Sequence, residues 1–125
     1  MKLVKGTPNV SYLGELSQNE LINKYQAVKG VMHASFFETT GLIGMEALCC
    51  GAKISMTDNL YTREYYEGHA HFCNPYSIQS IGDGFSWLGN SEKSDTVYKP
   101  TSWDEVGIAL EKVYREVLEQ NGSRN

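Results

Sequence analysis

The chain has 125 residues, is 41% hydrophobic and 21% charged, and carries a formal net charge of −4 because 15 acidic side chains outnumber 11 Lys and Arg. Such a chain buries enough apolar surface to fold as one domain over 1–125, and its acidity argues against nucleic-acid binding, which needs clustered cations. Three cysteines without C-x-x-C spacing argue against a disulfide framework and a zinc finger, and no apolar stretch has the ~20 residues of a transmembrane segment, so a cytoplasmic protein is expected.

The first predicted elements are a short strand and a capped helix. Residues 10–13 are β-prone and are predicted to form a strand. Ser17 and Glu20 have the spacing of a capping box, which predicts a helix from this point to about residue 29. Gly30 is then expected at the left-handed position that ends such a helix.

The middle of the chain alternates between β-prone runs and helices that end at glycines. The predicted strands cover 31–36, 54–57 and 70–73, and the predicted helices cover 42–50 and 62–67, with Gly51 and Gly68 as their stops. Alternating strands and helices joined by short connections predict an α/β fold in which a parallel sheet carries helices on both faces.

The last third of the chain has one weak and one strong helical signal. Ser77 is placed to cap a helix, but glycines within 82–84 interrupt it, so only a short helix is predicted there. A loop is predicted over 89–101. Ser102 and Glu105 repeat the capping box, and an apolar stripe follows them, so a final helix is predicted to end near 121–122.

One loop and the helix after it carry the residues that suggest chemistry. In parallel sheets, ligands bind beyond the carboxyl ends of strands, and the loop after 31–36 carries Glu38, with Glu46 about one turn into the next helix. Gly41 at the helix entrance lets a ligand approach the free N–H groups, which attract a phosphate or diphosphate. The two carboxylates are interpreted as acceptors for hydroxyl groups on either side of that anion. A sugar nucleotide, with a hexose, a diphosphate and a ribose diol, has this layout.

The same segment resembles a known family. Glu38 and Glu46 are separated by seven residues, with Gly41 and Leu42 between them. The pattern is similar to the E-x7-E region of the group 1 glycosyltransferases of the GT-B fold, retaining enzymes that move a sugar from a nucleotide donor. The resemblance covers 9–77. It implies that the chain is a single partial domain, part of the Rossmann-like C-terminal, donor-binding domain of a GT-B enzyme.

The resemblance also implies roles for individual residues. Glu38 would be the catalytic residue, because it would accept hydroxyls of the donor sugar near the reacting carbon. Backbone amides at Gly41 and Leu42 would hold the diphosphate, Thr40 would lie beside the ligand, and Glu46 would bind the ribose hydroxyls. The implied ligand is a nucleotide-diphosphate sugar, with no metal and no cofactor.

The chain departs from the family pattern in length and at single positions. Donor domains of this family begin two strand–helix units earlier, with Arg or Lys groups that counter the diphosphate charge. The resemblance therefore implies a missing N-terminal GT-B domain or a separate partner subunit, without which the chain would be inactive. Lys53 and Arg63 are either replacements for those cations or ordinary surface charges. Thr40 and residues 59–60 differ from the family pattern next to the expected ligand.

An alternative interpretation involves no catalysis. The chain would then be a noncatalytic doubly wound α/β interaction module that binds a partner through the tyrosine-rich segment 61–66. A receiver-like module would also need a phosphoacceptor, and Asp58 is the acidic residue placed for that role.

The remaining polar residues are interpreted as structural. The three cysteines are expected to be buried small hydrophobic side chains rather than metal ligands. His69 and His71 alternate on a predicted strand and share a face, but no third metal ligand lies nearby. His33 is interpreted as a satisfied core histidine or as a weak ligand contact.

Overall fold

The computed structural model describes residues 6–92 and 98–122, which form an α/β fold with a three-stranded parallel sheet. In chain order its elements are α1 Gln18–Ala27, β1 Gly30–His33, α2 Leu42–Cys49, β2 Lys53–Thr57, α3 Leu60–Tyr66, β3 Ala70–Cys73, α4 Ile78–Asn90 and α5 Trp103–Gly122. The strands lie in the order β1-β2-β3, and both neighbouring pairs are parallel. The predicted α/β class and parallel sheet are therefore confirmed.

Helices cover both faces of the sheet, as predicted. Successive side chains of a strand point to opposite faces, so Ile54 and Met56 of β2 share one face and Ser55 points to the other. On the first face, Tyr66 of α3 is fully buried in a cluster with Ile54 and Met56. On the second face, Gly84 of α4 lies so close to Ser55 that an added Cβ would come within 2.5 Å of Oγ. Side chains of β2 therefore form the centre of the core.

Local capping signals begin two helices at the predicted positions. At α1, Glu20 N–H donates to Ser17 Oγ at 3.4 Å and Ser17 N–H donates to Glu20 Oε2 at 2.8 Å. At α5, Ser102 N–H donates to Glu105 Oε2 at 2.7 Å, and the reverse bond from Glu105 N–H is also present. These reciprocal bonds confirm both capping boxes. Each box stabilises the start of its helix because it satisfies backbone N–H groups that the first helical turn leaves unpaired.

Two predictions near the start of the chain are wrong. Residues 10–13 form no strand, and Val10, Tyr12 and Leu13 are 49%, 63% and 54% exposed. A β-prone run becomes a strand only when a neighbour pairs with its backbone, and none of the described strands does so here. Gly30 does not end α1 but starts β1, and a Cβ there would come within 2.5 Å of Leu88 Cδ2 on α4. Gly30 therefore serves close packing between strand and helix.

The helix predicted to break at 82–84 continues through that segment. α4 extends from Ile78 to Asn90, so the predicted loop over 89–101 begins later than expected, and its residues 93–97 lie outside the described chain. Gly84 is buried against Ser55 and Met32, where a side chain would not fit. Tertiary packing of α4 on the sheet therefore outweighs the low helix propensity of glycine.

The final helix exposes all of its described side chains from Trp103 to Asn121. Its predicted apolar stripe is present, with Val106 at 42%, Val113 at 52% and Tyr114 at 61% exposure. An ion pair between Arg115 and Glu111 at 2.6 Å supports the helix along its polar side. No helix in the described ranges is both long and apolar enough to span a lipid bilayer.

Candidate functional site

The candidate site lies at the carboxyl edge of the sheet, where β1 and β2 lead into α2 and α3. Hydrogen bonds connect the two loops. Thr57 Oγ1 at the end of β2 donates to Ser35 O at 2.5 Å, and Asn59 Nδ2 donates to Glu38 O at 3.1 Å. These bonds fix the backbone of the loop that carries Glu38.

The Glu38 carboxylate is held by three groups. Its Oε2 lies 2.6 Å from His33 Nε2, and its Oε1 accepts from the N–H groups of Thr39 at 3.0 Å and Gly41 at 3.1 Å. The hydrogen bond with His33, followed by the backbone N–H bonds, lowers the pKa of Glu38 below its ordinary value of 4.5. Glu38 is therefore ionised at neutral pH, and Oε2 keeps a lone pair that can accept a hydroxyl proton.

Gly41 is fixed at the entrance of α2. Its backbone is left-handed, with φ 69° and ψ 56°, and an added Cβ would lie 2.8 Å from Met56 Cε. Its carbonyl accepts from Tyr66 Oη at 2.7 Å and from Gly44 N–H at 2.7 Å. Only glycine fits this conformation without strain. Because the Gly41 N–H already donates to Glu38, this amide, predicted to hold a diphosphate, is instead occupied by the protein's own carboxylate.

The two residues that follow Gly41 have backbone N–H groups without a hydrogen-bond partner among the described residues. Leu42 and Ile43 are the first two residues of α2, and no described residue accepts a hydrogen bond from either N–H group. Leu42 is 65% exposed, and Thr40 before it is half-buried. Free first-turn N–H groups together with the helix dipole attract anions. Leu42 was expected from the sequence. Ile43 was not, although its place in the first helical turn is a signal for this role.

Glu46 lies further along α2, on the side that faces α1. Its carboxylate is exposed, and its Oε2 accepts from Tyr25 Oη at 3.5 Å. The surrounding groove has a volume of about 510 Å³ and is also lined by Leu21 and Cys50. Burial and the nearby Glu46 charge raise the pKa of Tyr25, so its hydroxyl remains a donor. The contact between Tyr25 and Glu46 is visible only in the folded chain, because the two residues are 21 positions apart.

The structure thus gathers four predicted residues at one end of α2. Glu38, Thr40, Gly41 and Leu42 surround the helix entrance, whereas the Glu46 carboxylate lies one turn further along α2, beside α1. Leu42 and Glu46 are four residues apart, which places them on one helix face with about 6 Å between them along the axis.

Neither Lys53 nor Arg63, the two residues considered as phosphate-binding cations, is free at this edge. Lys53 starts β2, so it lies at the opposite edge of the sheet, with Nζ 5.3 Å from the centre of the Trp87 ring. The Arg63 guanidinium donates to both oxygens of Asp58, at 2.6 and 2.9 Å, and to Glu67 at 3.1 Å. Lys53 and Arg63 are therefore structural, and the described site presents backbone amides to an anion.

The other histidines and the cysteines do not form a metal site. His71 contacts Ser55 Oγ at 3.0 Å and stacks on Trp87, whereas His69 packs edge-on against Tyr98. No group of three metal-ligating side chains occurs in the described part of the chain. Cys73 is buried as expected, but Cys49 is exposed, contrary to the prediction, because it lies on the face of α2 that borders the open groove toward α1.

No protein-family model, curated protein or solved structure matches this chain. An ionised, hydrogen-bonded carboxylate lies beside two free helix amides at the carboxyl edge of a parallel sheet. Such a site can bind an anionic group and accept hydroxyl protons from the same ligand.

Proposed function

We propose that this chain is the nucleotide-sugar-binding portion of a retaining glycosyltransferase, which transfers the sugar only when joined to an N-terminal domain or a partner subunit. The observation that carries the proposal is the Glu38 carboxylate, fixed by His33 and two backbone N–H groups, next to the free amides of Leu42 and Ile43.

The diphosphate of the ligand would bind the amides of Leu42 and Ile43. These N–H groups are at the positive end of α2, where an anion is stabilised. The negative charge of Glu38 would oppose this binding, but the three donors around the carboxylate reduce its effect on a neighbouring anion. Glu38 therefore suits a sugar hydroxyl better than a phosphate oxygen.

The ribose of the ligand would reach Glu46. About 6 Å separates Leu42 from Glu46 along the helix, which is the scale of the step from a phosphate to a ribose diol. The Glu46 carboxylate is exposed, and Tyr25 Oη contacts only one of its oxygens. The other oxygen can accept from a ribose hydroxyl.

The catalytic contribution of this half would be positional and electrostatic. Amides aimed at a leaving diphosphate stabilise the charge that develops on it, and a fixed Glu38 orients the sugar. The acceptor would bind to the N-terminal domain or partner subunit, so turnover by the purified chain without a partner would contradict this part of the proposal.

A titration with UDP-, GDP- and ADP-sugars tests the binding. Glu38→Gln and Glu46→Gln should each weaken binding about tenfold, since each removes a hydrogen bond to a charged acceptor. Asp83→Asn removes an exposed charge from α4, on the opposite face, and should leave affinity unchanged. Binding that is equal in all four proteins, or no binding of any nucleotide sugar, would refute the proposal.

The alternative, a noncatalytic doubly wound α/β interaction module, is supported by the exposed rings of Tyr61 and Tyr65, at 55% and 41%. A receiver-like version is disfavoured because the Asp58 carboxylate is bound by Arg63. The module predicts that Tyr61→Ala impairs partner binding while nucleotide sugars have no effect on the chain.

A further inference from the structure

A second cleft lies at the same edge of the sheet, between the ends of β2 and β3. It has a volume of about 400 Å³, and its walls include Phe36, Asn74 and Tyr76. Asp58 and Asn59 form its polar side. Neither the anion site at α2 nor the groove at Glu46 includes the aromatic pair, so the cleft is a separate feature of the surface.

Two aromatic rings form its apolar side. Phe36 and Tyr76 are 69% and 78% exposed, yet their ring centroids are only 5.0 Å apart, with an angle of 41° between the planes. Because the two exposed rings lie next to each other, they form one continuous apolar surface on which a ligand can pack. At this separation the two rings contact each other, so a ligand would pack against their exposed surface and could not enter between them.

The turn that carries Tyr76 is fixed by hydrogen bonds. Asn74 Oδ1 accepts from Tyr76 N–H at 2.9 Å, Asn74 N–H donates to Ser80 Oγ at 2.9 Å, and Pro75 between them is buried. A ring on a fixed turn loses little freedom when a ligand binds. The Asn74 amide group keeps its two N–H donors, because no described residue accepts from Nδ2.

The polar side of the cleft suits a neutral ligand. The Asp58 carboxylate is bound by Arg63, which also packs over Phe72 at 4.6 Å, so this cation is not directed into the cleft. Each Asp58 oxygen accepts one N–H from Arg63 and can still accept a hydroxyl proton. A carboxylate without a free cation beside it repels phosphates and attracts hydroxyl donors.

We infer that this cleft binds a neutral sugar ring of a glycan, with the C–H face of the ring on Phe36 and Tyr76 and its hydroxyls on Asp58 and Asn74. A pyranose has one apolar C–H face and a rim of hydroxyls that both donate and accept, which matches this division of the cleft. The inference does not require the proposed nucleotide-sugar function, because none of its contacts involves the amides of α2 or Glu46.

Saturation-transfer NMR on the full chain tests this inference with methyl glycosides of glucose, mannose, galactose and N-acetylglucosamine and with their disaccharides. At least one sugar should bind with a dissociation constant in about the millimolar range. Saturation should be strongest on the C–H protons of one ring face. Tyr76→Ala and Phe36→Ala should each weaken binding about fivefold, the loss expected for one aromatic contact.

The controls separate this cleft from other surfaces. Phe85→Ala removes an aromatic ring that is 58% exposed on α4 and should leave the signal unchanged. Tyr76→Trp should preserve binding, since it keeps an aromatic face. No transfer to any sugar, an affinity of Tyr76→Ala equal to that of the wild type, or stronger transfer to free uridine or adenosine would overturn the inference. Glu46 lies outside the cleft, so Glu46→Gln should bind these sugars with the wild-type affinity even though it is expected to weaken nucleotide-sugar binding. The two proposals can therefore fail independently of each other.

Discussion

His33 Nε2 lies 2.6 Å from Glu38 Oε2, so the end of β1 and the loop that follows it are joined by one polar contact at the candidate site. Both side chains are about one-fifth exposed, at 21% and 20%. A contact in this environment is partly shielded from water and is stronger than the same contact on an open surface.

This contact predicts an acid-dependent loss of stability. The pKa of Glu38 is lowered in the folded chain below 4.5, so its bonds stabilise the fold above pH 4.5 and are lost as pH falls through the folded pKa. The unfolding free energy of wild type and Glu38→Gln, measured with urea across this range, should converge as the pH decreases.

A His33→Asn variant provides the comparison for that measurement. It removes the largest cause of the lowered pKa and retains the N–H bonds from Thr39 and Gly41. Its acid dependence should lie between those of wild type and Glu38→Gln. Identical pH profiles for wild type and Glu38→Gln would contradict the assignment.

Two glycines in α4 should respond in opposite ways to alanine. At Gly84 a Cβ would meet Ser55 Oγ at 2.5 Å and Met32 Cε at 2.7 Å, so Gly84→Ala should destabilise the fold by about 1–3 kcal/mol through overpacking. At Gly82 nothing lies within 4 Å, and Gly82→Ala should stabilise it by about 0.5–1 kcal/mol through helix propensity. Urea unfolding measures the change in unfolding free energy for both variants. Changes of the same sign would contradict the packing of α4 against the sheet at Gly84.

The buried hydroxyl of Tyr66 should contribute to stability. It donates to Gly41 O at 2.7 Å, and burial raises the pKa of Tyr66, so it remains protonated. Tyr66→Phe should cost about 1 kcal/mol in the unfolding free energy. Tyr61→Phe alters an exposed ring on the same helix and should change it by less than about 0.5 kcal/mol.

The cysteines should differ in reactivity. Cys49 is exposed and Cys73 is 1% exposed, so iodoacetamide should label Cys49 in the native chain and label Cys73 at least about a hundredfold more slowly, since the latter requires opening of the fold. Burial raises the pKa of Cys49, so its labelling should accelerate with pH up to and beyond 9. Peptide mass spectrometry assigns the sites, and equal rates at both would contradict the burial of Cys73.

The sequence predicted those elements whose signals are local. The capping boxes at Ser17 and Ser102 and the left-handed glycines after α2 and α3, with φ of +79° and +80°, depend on neighbouring residues alone. The errors at residues 10–13, Gly30 and 82–84 all concern partners distant in sequence. Whether a β-prone run pairs, or a glycine makes room for a helix, is decided by tertiary packing.

The position of the candidate site could be predicted from the sequence, but the contacts within it could not. Glu38 and the entrance of α2 could be located because a glycine-marked loop follows a strand. The contact with His33, the use of the Gly41 N–H by Glu38, and the pairing of Phe36 with Tyr76 depend on how the loop folds back over the sheet. Sequence spacing carries no information on that path.

The left-handed backbone of Gly41, closed off by Met56 on one side and Tyr66 on the other, restricts how this site can diverge. Any side chain at that position would shift the first turn of α2 and with it the neighbouring amides. Thr40 has no hydrogen-bond partner among the described residues and is only half-buried, so it can be replaced without disturbing the frame. Substitutions at Thr40 should therefore change only the surface beside α2, whereas substitutions at Gly41 should displace the amides of Leu42 and Ile43.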